Sequence, residues 1–72
     1  MSDYHINIFY SEEDDAYVAD IPDLDACSAF GRTPEEALRE VERAKHLWLD
    51  AARAAGKRVP SPRYRPAIYQ AR

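Results

Sequence analysis

Two segments near the start of the chain alternate between apolar and polar side chains. Residues 4–10 (YHINIFY) place apolar or aromatic side chains at every second position from Tyr4, and residues 16–21 (AYVADI) end at Pro22, which cannot donate to a sheet. Residues 11–15 (SEEDD) separate the two segments and have no apolar side chain to bury. This pattern predicts an antiparallel β-hairpin with an acidic turn.

The chain then changes from strand-like to helical periodicity. Residues 22–25 are typical of a turn, and residues 26–30 (ACSAF) predict a short third strand. Residues 33–36 (TPEE) combine an N-cap threonine, proline at the first helical position and a glutamate three residues after the cap. This is the strongest local signal in the sequence. It predicts a helix over residues 34–55, with Gly56 as its C′ residue.

The predicted helix is amphipathic when its residues are placed at 100° intervals. Its apolar side consists of Ala37, Leu38, Val41, Ala44, Trp48, Ala51, Ala52 and Ala55. Its polar side consists of Glu36, Arg39, Arg43, His46, Asp50 and Arg53. We expect the apolar side to lie on the sheet. Leu47 and Leu49 flank it and, with Lys45 inside it, widen the apolar surface enough for a second partner.

The rest of the chain completes the predicted fold class. Residues 57–66 (KRVPSPRYRP) contain prolines that predict an extended arm, and residues 67–70 (AIYQ) have room for a fourth short strand. The predicted class is α+β, with an antiparallel three- to four-stranded sheet and one long helix packed on it, in the order β-β-β-α-β. We expect a single domain over residues 1–72, with its core at 4–56 and an extended arm at 57–72.

The length and composition of the chain narrow the possible functions. A domain of about 60 residues buries only about 60% of the surface that its unfolded chain exposes, so we expect this 72-residue chain to self-associate. Large cofactor folds do not fit in this length, which favours a binding protein over an enzyme. The single Cys27 and the lack of a signal peptide or spanning run predict a cytoplasmic protein with no disulfide, metal or cofactor.

The net charge of −3 conceals a strong asymmetry. Residues 1–32 carry eight acids against one base, a net charge of −7, whereas residues 33–72 carry five acids against nine bases, a net charge of +4. We expect the two halves to attract each other or to attract different partners.

Several candidate sites for chemistry have simpler structural interpretations. One is a set of carboxylates that could hold Mg²⁺ or act in acid/base catalysis: Asp20, Asp23 and Asp25. Their spacing around Pro22 favours exposed turn residues. Cys27 has no neighbouring base and is expected to be a buried or half-buried thiol, while His46 is interpreted as a surface residue. The basic arm around Tyr64 is either a nucleic-acid patch or, as the acidic pI of about 5.2 favours, a solvated arm.

Taken in order, these segments resemble a known family. Residues 17–24 (YVADIPDL), Cys27, residues 31–38 (GRTPEEAL) and residues 56–62 (GKRVPSP) are similar to the HicB family of antitoxins, and in particular to short HicB-like proteins that consist of the N-terminal domain alone. The resemblance implies a degenerate RNase H-like fold without the nuclease carboxylates. It also implies a partner: HicB-type antitoxins neutralise HicA, a small basic mRNA-cleaving toxin similar to a double-stranded-RNA-binding domain.

The chain departs from the family pattern in two places. The family usually has a proline-glycine pair before the cysteine, where this chain has Asp25-Ala26, so we expect the backbone there to avoid conformations that favour glycine. Many members continue into a C-terminal DNA-binding domain, whereas this chain stops at Arg72, so we expect no DNA binding.

The leading hypothesis is therefore a HicB-like antitoxin that binds a HicA-type toxin. An orphan homo-oligomeric scaffold or regulatory module without a toxin is the alternative, and a small nuclease that needs Asp20 is the third. The residues expected to contact the toxin are Glu12, Glu13, Asp14 and Asp15. The residues expected to mediate self-association are Leu47, Leu49, Pro66, Ala67, Ile68, Tyr69 and Gln70.

Overall fold

A computed structural model describes residues 3–66 of the chain. It contains three strands, β1 (Asn7–Ser11), β2 (Ala16–Asp20) and β3 (Ser28–Gly31), followed by one helix, α1 (Pro34–Ala54). The strands form one antiparallel sheet in the order β1-β2-β3. The predicted α+β class and the order β-β-β-α are confirmed. The fourth strand predicted over residues 67–70 lies outside the described residues.

The β1–β2 hairpin lies where the sequence predicts it, but its first strand begins later than the sequence pattern indicates. β1 begins at Asn7 instead of residue 4, and it includes Ser11, so the turn occupies residues 12–15 of the predicted 11–15. In the observed register Asn7 lies opposite Asp20, so a longer β1 would bring residue 5 opposite Pro22. Because proline has no N–H to donate, the ladder ends there.

The two faces of the sheet carry different rows of side chains because successive residues of a strand point to opposite sides. Cross-strand neighbours on the side of the helix are Ile8, Ala19 and Ala29 in one row and Tyr10, Tyr17 and Gly31 in the next. Cross-strand neighbours on the outer face are Asn7, Asp20 and Ser28 in one row and Phe9, Val18 and Phe30 in the next. Helix α1 therefore covers only one of these faces.

The core lies between the sheet, the loop after β2 and the helix. Its buried apolar side chains are Ala19, Ile21, Leu24, Cys27, Ala37, Val41 and Ala52. The helix approaches β3 very closely at Gly31, where an added Cβ would lie 2.3 Å from the backbone nitrogen of Ala37. Gly31 is therefore required by this contact between strand and helix.

The helix buries a narrower stripe than its sequence predicts. Three residues predicted on the apolar side are exposed: Leu38, Ala51 and Ala55. The 21 residues of α1 extend about 31 Å, whereas strands of four or five residues extend only about 13–17 Å, so the sheet cannot cover the whole apolar side. Lys45 is buried within the stripe, as predicted.

Both ends of α1 are capped as the sequence indicates. Thr33 is the N-cap, and its hydroxyl oxygen accepts a hydrogen bond of 3.0 Å from the backbone N–H of Glu36. The Glu36 carboxylate accepts in return from the N–H of Arg32 at 2.8 Å. Gly56 has φ of 71°, and the N–H groups after the helix bond back to the carbonyls of Arg53 and Ala52 as in a Schellman motif. The helix ends one residue earlier than predicted.

The loop before Cys27 contradicts one expectation. Ala26 has φ of 57°, in the left-handed region that favours glycine, although the sequence comparison predicted that this backbone would avoid it. The physical reason is a set of hydrogen bonds that fix the loop. Backbone N–H groups of Ile21, Leu24 and Cys27 bond within the segment 21–27 at 3.0–3.3 Å, and all three side chains are buried. This geometry therefore holds Ala26 in a conformation that costs roughly 1–2 kcal/mol.

Residues 57–66 have no regular secondary structure, in agreement with the predicted extended arm. The arm returns to the start of the chain, where the Tyr4 hydroxyl donates to the carbonyl of Pro60. The Asp23 carboxylate accepts from the backbone N–H groups of Arg63 and Tyr64 at 3.1–3.2 Å. The described part of the arm is thus tied to the acidic half of the chain.

Candidate protein-binding surface

The acidic turn between β1 and β2 is exposed and internally ordered. The Tyr10 hydroxyl donates to the Asp15 carboxylate, and the Ser11 hydroxyl donates to the Asp14 carboxylate at 2.8 Å. The bond to Asp15 raises the pKa of Tyr10, because the phenol proton is held by the carboxylate. Glu12 and Glu13 make no side-chain hydrogen bond or ion pair within residues 3–66. The four predicted toxin-contacting residues therefore form one solvent-facing group, of which two are held in place and two point into water.

An apolar row lies beside this turn on the outer face of the sheet. Phe9 is 52% exposed and Phe30 is 56% exposed, with Val18 between them on the central strand. The sequence analysis did not select these residues. The alternation in residues 4–10 puts Phe9 on the polar side of β1. This position is the sequence signal from which its exposure could have been predicted.

The residues predicted to mediate self-association do not form one continuous patch in the described chain. Leu47 is 70% exposed on α1, whereas Leu49 is half-buried and packs against the core. Pro66 is half-buried and lines a surface groove with residues 3–5 and the arm. Residues 67–70 lie outside the described part.

The three candidate carboxylates have separate structural environments. Asp23 and Asp25 lie in the turn after β2, as the turn interpretation predicts, but only Asp25 is exposed. Asp20 is the half-buried last residue of β2, so the prediction of an exposed turn residue is wrong there. Asp23 binds the arm, and the backbone carbonyl of Asp25 accepts from the Trp48 indole N–H at 2.9 Å. Among residues 3–66, no three histidine, cysteine, aspartate or glutamate side chains form a group that could hold a metal ion.

The other candidate groups have structural roles. Cys27 is buried, as predicted, and desolvation raises the pKa of its thiol, which keeps it protonated at neutral pH. His46 is exposed on α1, as predicted. The ammonium group of Lys45 forms ion pairs with Asp3 at 3.2 Å and Glu42 at 3.6 Å.

The buried Lys45 retains its charge because of these two partners. Burial alone lowers its pKa, but the hydrogen bond from its ammonium group to Asp3 and the attraction of Glu42 outweigh burial, so the pKa is raised overall. The pKa of Asp3 is lowered, chiefly by a hydrogen bond from the Tyr4 N–H and then by the bond from Lys45. These contacts join the first described residues to the middle of α1.

The fold and the surface together define a small α+β domain with one covered and one open sheet face. Residues 4–70 match the family model described as HicB_like antitoxin of bacterial toxin-antitoxin system. The chain is also 39% identical over 54 residues to the UPF0150 protein ssl0259 of Synechocystis sp. (strain ATCC 27184 / PCC 6803 / Kazusa), an alignment that covers 75% of this chain and 74% of that protein. No solved structure matches the chain.

The chain belongs to the HicB-like antitoxin family. Membership supports an antitoxin role in general, implies a toxin as partner and suggests a non-enzymatic function. Within residues 3–66 the structure contains no helix with the length and hydrophobicity that a membrane crossing requires.

Proposed function

We propose that this chain is a cytoplasmic, non-catalytic antitoxin that binds and neutralises a HicA-type mRNA-cleaving toxin. The observation that carries the proposal is the exposed turn of four consecutive acids, at residues 12–15, within a half-chain of net charge −7. A ribonuclease binds a polyanion and therefore presents positive charge at its active surface. An acidic protein that covers this surface excludes the RNA, so binding alone is sufficient for inhibition.

The proposal is tested by measuring the affinity of the full chain for a HicA-type toxin encoded by a neighbouring gene. Reversing the charge at Glu12 and Glu13 is the informative change, because neither side chain has a hydrogen bond or ion pair within residues 3–66 that the substitution would break. We expect Glu12→Lys with Glu13→Lys to raise Kd about tenfold at low salt, with a smaller effect at high salt.

The control variant makes the same change of charge on another surface. Glu40→Lys with Asp50→Lys alters two acids of α1, each of which forms only an exposed ion pair with an arginine three residues later. An equal loss of affinity in both double variants would mean that net charge, and not the turn, attracts the toxin. Unchanged affinity and salt dependence in the turn variant would exclude the turn as the steering surface.

A second function, a homo-oligomeric scaffold without a toxin, is favoured by the exposure of Leu47 on α1. Self-association through Leu47, Leu49 and residues 66–70 would add buried area to a small core, and strand addition at a free sheet edge is one way for such a segment to pair. Sedimentation of the full chain tests this function. A concentration-dependent dimer that Leu47→Lys dissociates supports it, and a monomer at micromolar concentration excludes it.

A further inference from the structure

The outer face of the sheet carries its largest exposed side chains in one continuous row. Phe9, Val18 and Phe30 are direct cross-strand neighbours across all three strands. Direct neighbours have Cβ atoms about 4.5–5.5 Å apart, so the two rings and the valine form a single apolar strip. More than half of each ring is accessible to solvent. Exposed apolar surface of this kind is typical of an interaction site.

Acidic groups lie along the two long sides of this strip. The turn at residues 12–15 follows β1 on one side of the strip, and Asp20 lies in the adjacent row between Asn7 and Ser28 on the other. Of the eight acids in the first 32 residues, five flank the strip, namely the four of the turn and Asp20, and the single base of this segment, Arg32, follows β3. The face therefore has an apolar centre and an acidic rim, the arrangement of a surface that binds a protein of opposite charge.

We propose that the outer face of the sheet, centred on Phe9, Val18 and Phe30, is the surface that a basic protein partner covers. The inference rests on the proposed antitoxin function, since the partner is the basic toxin, and it assigns the larger share of the affinity to the aromatic strip and the salt-dependent share to the turn. Rim charges chiefly set the association rate and its salt dependence, whereas apolar anchors at the centre of an interface chiefly set the dissociation rate.

The charge of the face disfavours two other occupants. A second copy docked by two-fold symmetry would bring the same face against itself and set two acidic rims together, which costs binding energy. A nucleic acid would be repelled by the same carboxylates. A protein with net positive charge is attracted by the rim and can cover the strip.

The test compares outer-face and control variants of the full chain in binding to a purified HicA-type toxin. We expect Phe9→Ser with Phe30→Ser to raise Kd by about thirty-fold or more, by the same factor at low and high salt. Val18→Lys, on the central strand, is a second variant that places a positive charge within the strip and should weaken binding at least as much. Leu38→Ser is the matched control, because it removes an exposed apolar side chain from α1 and should leave Kd unchanged. Circular dichroism confirms that each variant is folded.

The outcomes separate this inference from the proposed function. Loss of affinity in the outer-face variants alone supports both. Normal toxin binding by folded outer-face variants overturns the inference and leaves the antitoxin function standing. If the unaltered chain does not bind the toxin, both are overturned, and a change in sedimentation of the outer-face variants then identifies the face as a contact between copies of this chain.

Discussion

The two faces of the sheet differ most clearly along β3, where the smaller side chains face the helix. On the face covered by α1, the central and third strands contribute Ala19, Ala29 and Gly31, which let the helix approach closely. The outer face presents two phenylalanines to solvent. The comparison teaches that this small domain derives its stability from close backbone approach and a few buried side chains, while Phe9 and Phe30 remain available for a partner.

The largest expected contrast is between a buried side chain and an exposed one. Ile21 is fully buried after β2, and Ile21→Ala should lower the free energy of unfolding by about 2–5 kcal/mol. Phe30→Ala removes a larger side chain from the outer face and should cost less than about 1 kcal/mol. Urea denaturation followed by fluorescence of Trp48 measures both. Equal losses would mean that the outer face is part of the core and would remove the basis for the binding proposal.

The close approach of β3 to α1 predicts the second largest effect. Gly31→Ala forces a Cβ to within 2.3 Å of the Ala37 nitrogen, so strand and helix must separate, at a cost of about 1–3 kcal/mol. Ser28→Ala, at the exposed start of the same strand, is the control and should change stability by less than about 0.5 kcal/mol. A Gly31→Ala protein as stable as the parent in thermal denaturation would refute the tight contact.

The left-handed residue before Cys27 predicts a stabilising change. Glycine at position 26 removes roughly 1–2 kcal/mol of backbone strain, which stabilises the fold. It also makes the unfolded chain more flexible, which destabilises the fold by about 0.4–1 kcal/mol. Ala26→Gly should therefore raise the free energy of unfolding by about 0.5–1 kcal/mol. Ala51→Gly, on the exposed side of α1, should have the opposite sign and cost about 1 kcal/mol. If Ala26→Gly is destabilised as Ala51→Gly is in the same denaturation assay, Ala26 is not strained.

The smallest expected effect depends on pH. The hydrogen bonds that lower the pKa of Asp3 stabilise the fold above about pH 4. This contribution is lost as the pH falls through the folded-state pKa. The interactions with Asp3 and Glu42 that raise the pKa of Lys45 stabilise the fold below about pH 10. This contribution is lost as the pH rises through the folded-state pKa of Lys45. Asp3→Asn should therefore cost about 0.5 kcal/mol near pH 7 and almost nothing once the pH has fallen below the folded-state pKa of Asp3. A pH-independent difference in unfolding free energy would exclude the ionised Asp3 carboxylate, which binds the Tyr4 N–H and Lys45, as its cause.

Local signals in the sequence were sufficient for the helix and the hairpin. Thr33, Pro34 and Glu36 define the start of α1, and Gly56 defines its end, because each satisfies or removes a backbone group at a helix terminus. The order of strands follows from alternation and from Pro22. These features depend on residues within a few positions of one another, and they were predicted to within one residue for the helix.

Features that depend on tertiary contacts could not be predicted from the sequence alone. The strain at Ala26 follows from the burial of Ile21 and Leu24 and from the bond between the Trp48 indole and the carbonyl of Asp25, which join distant parts of the chain. The open face is a similar case. Alternation assigns Phe9 to one side of β1, but a period of two does not reveal which side a helix covers. The acidic turn was predicted, whereas the apolar strip beside it was not.

The most direct test of the central claim is an NMR titration of the full chain, isotopically labelled at valine and leucine methyl groups and phenylalanine rings, with unlabelled HicA-type toxin. If the toxin covers the outer face, signals of Phe9, Val18 and Phe30 should shift or broaden at stoichiometric toxin, while the methyl signals of Leu38 and Leu47 on α1 stay unchanged. Shifts confined to α1, with the three outer-face signals unchanged, would contradict the account.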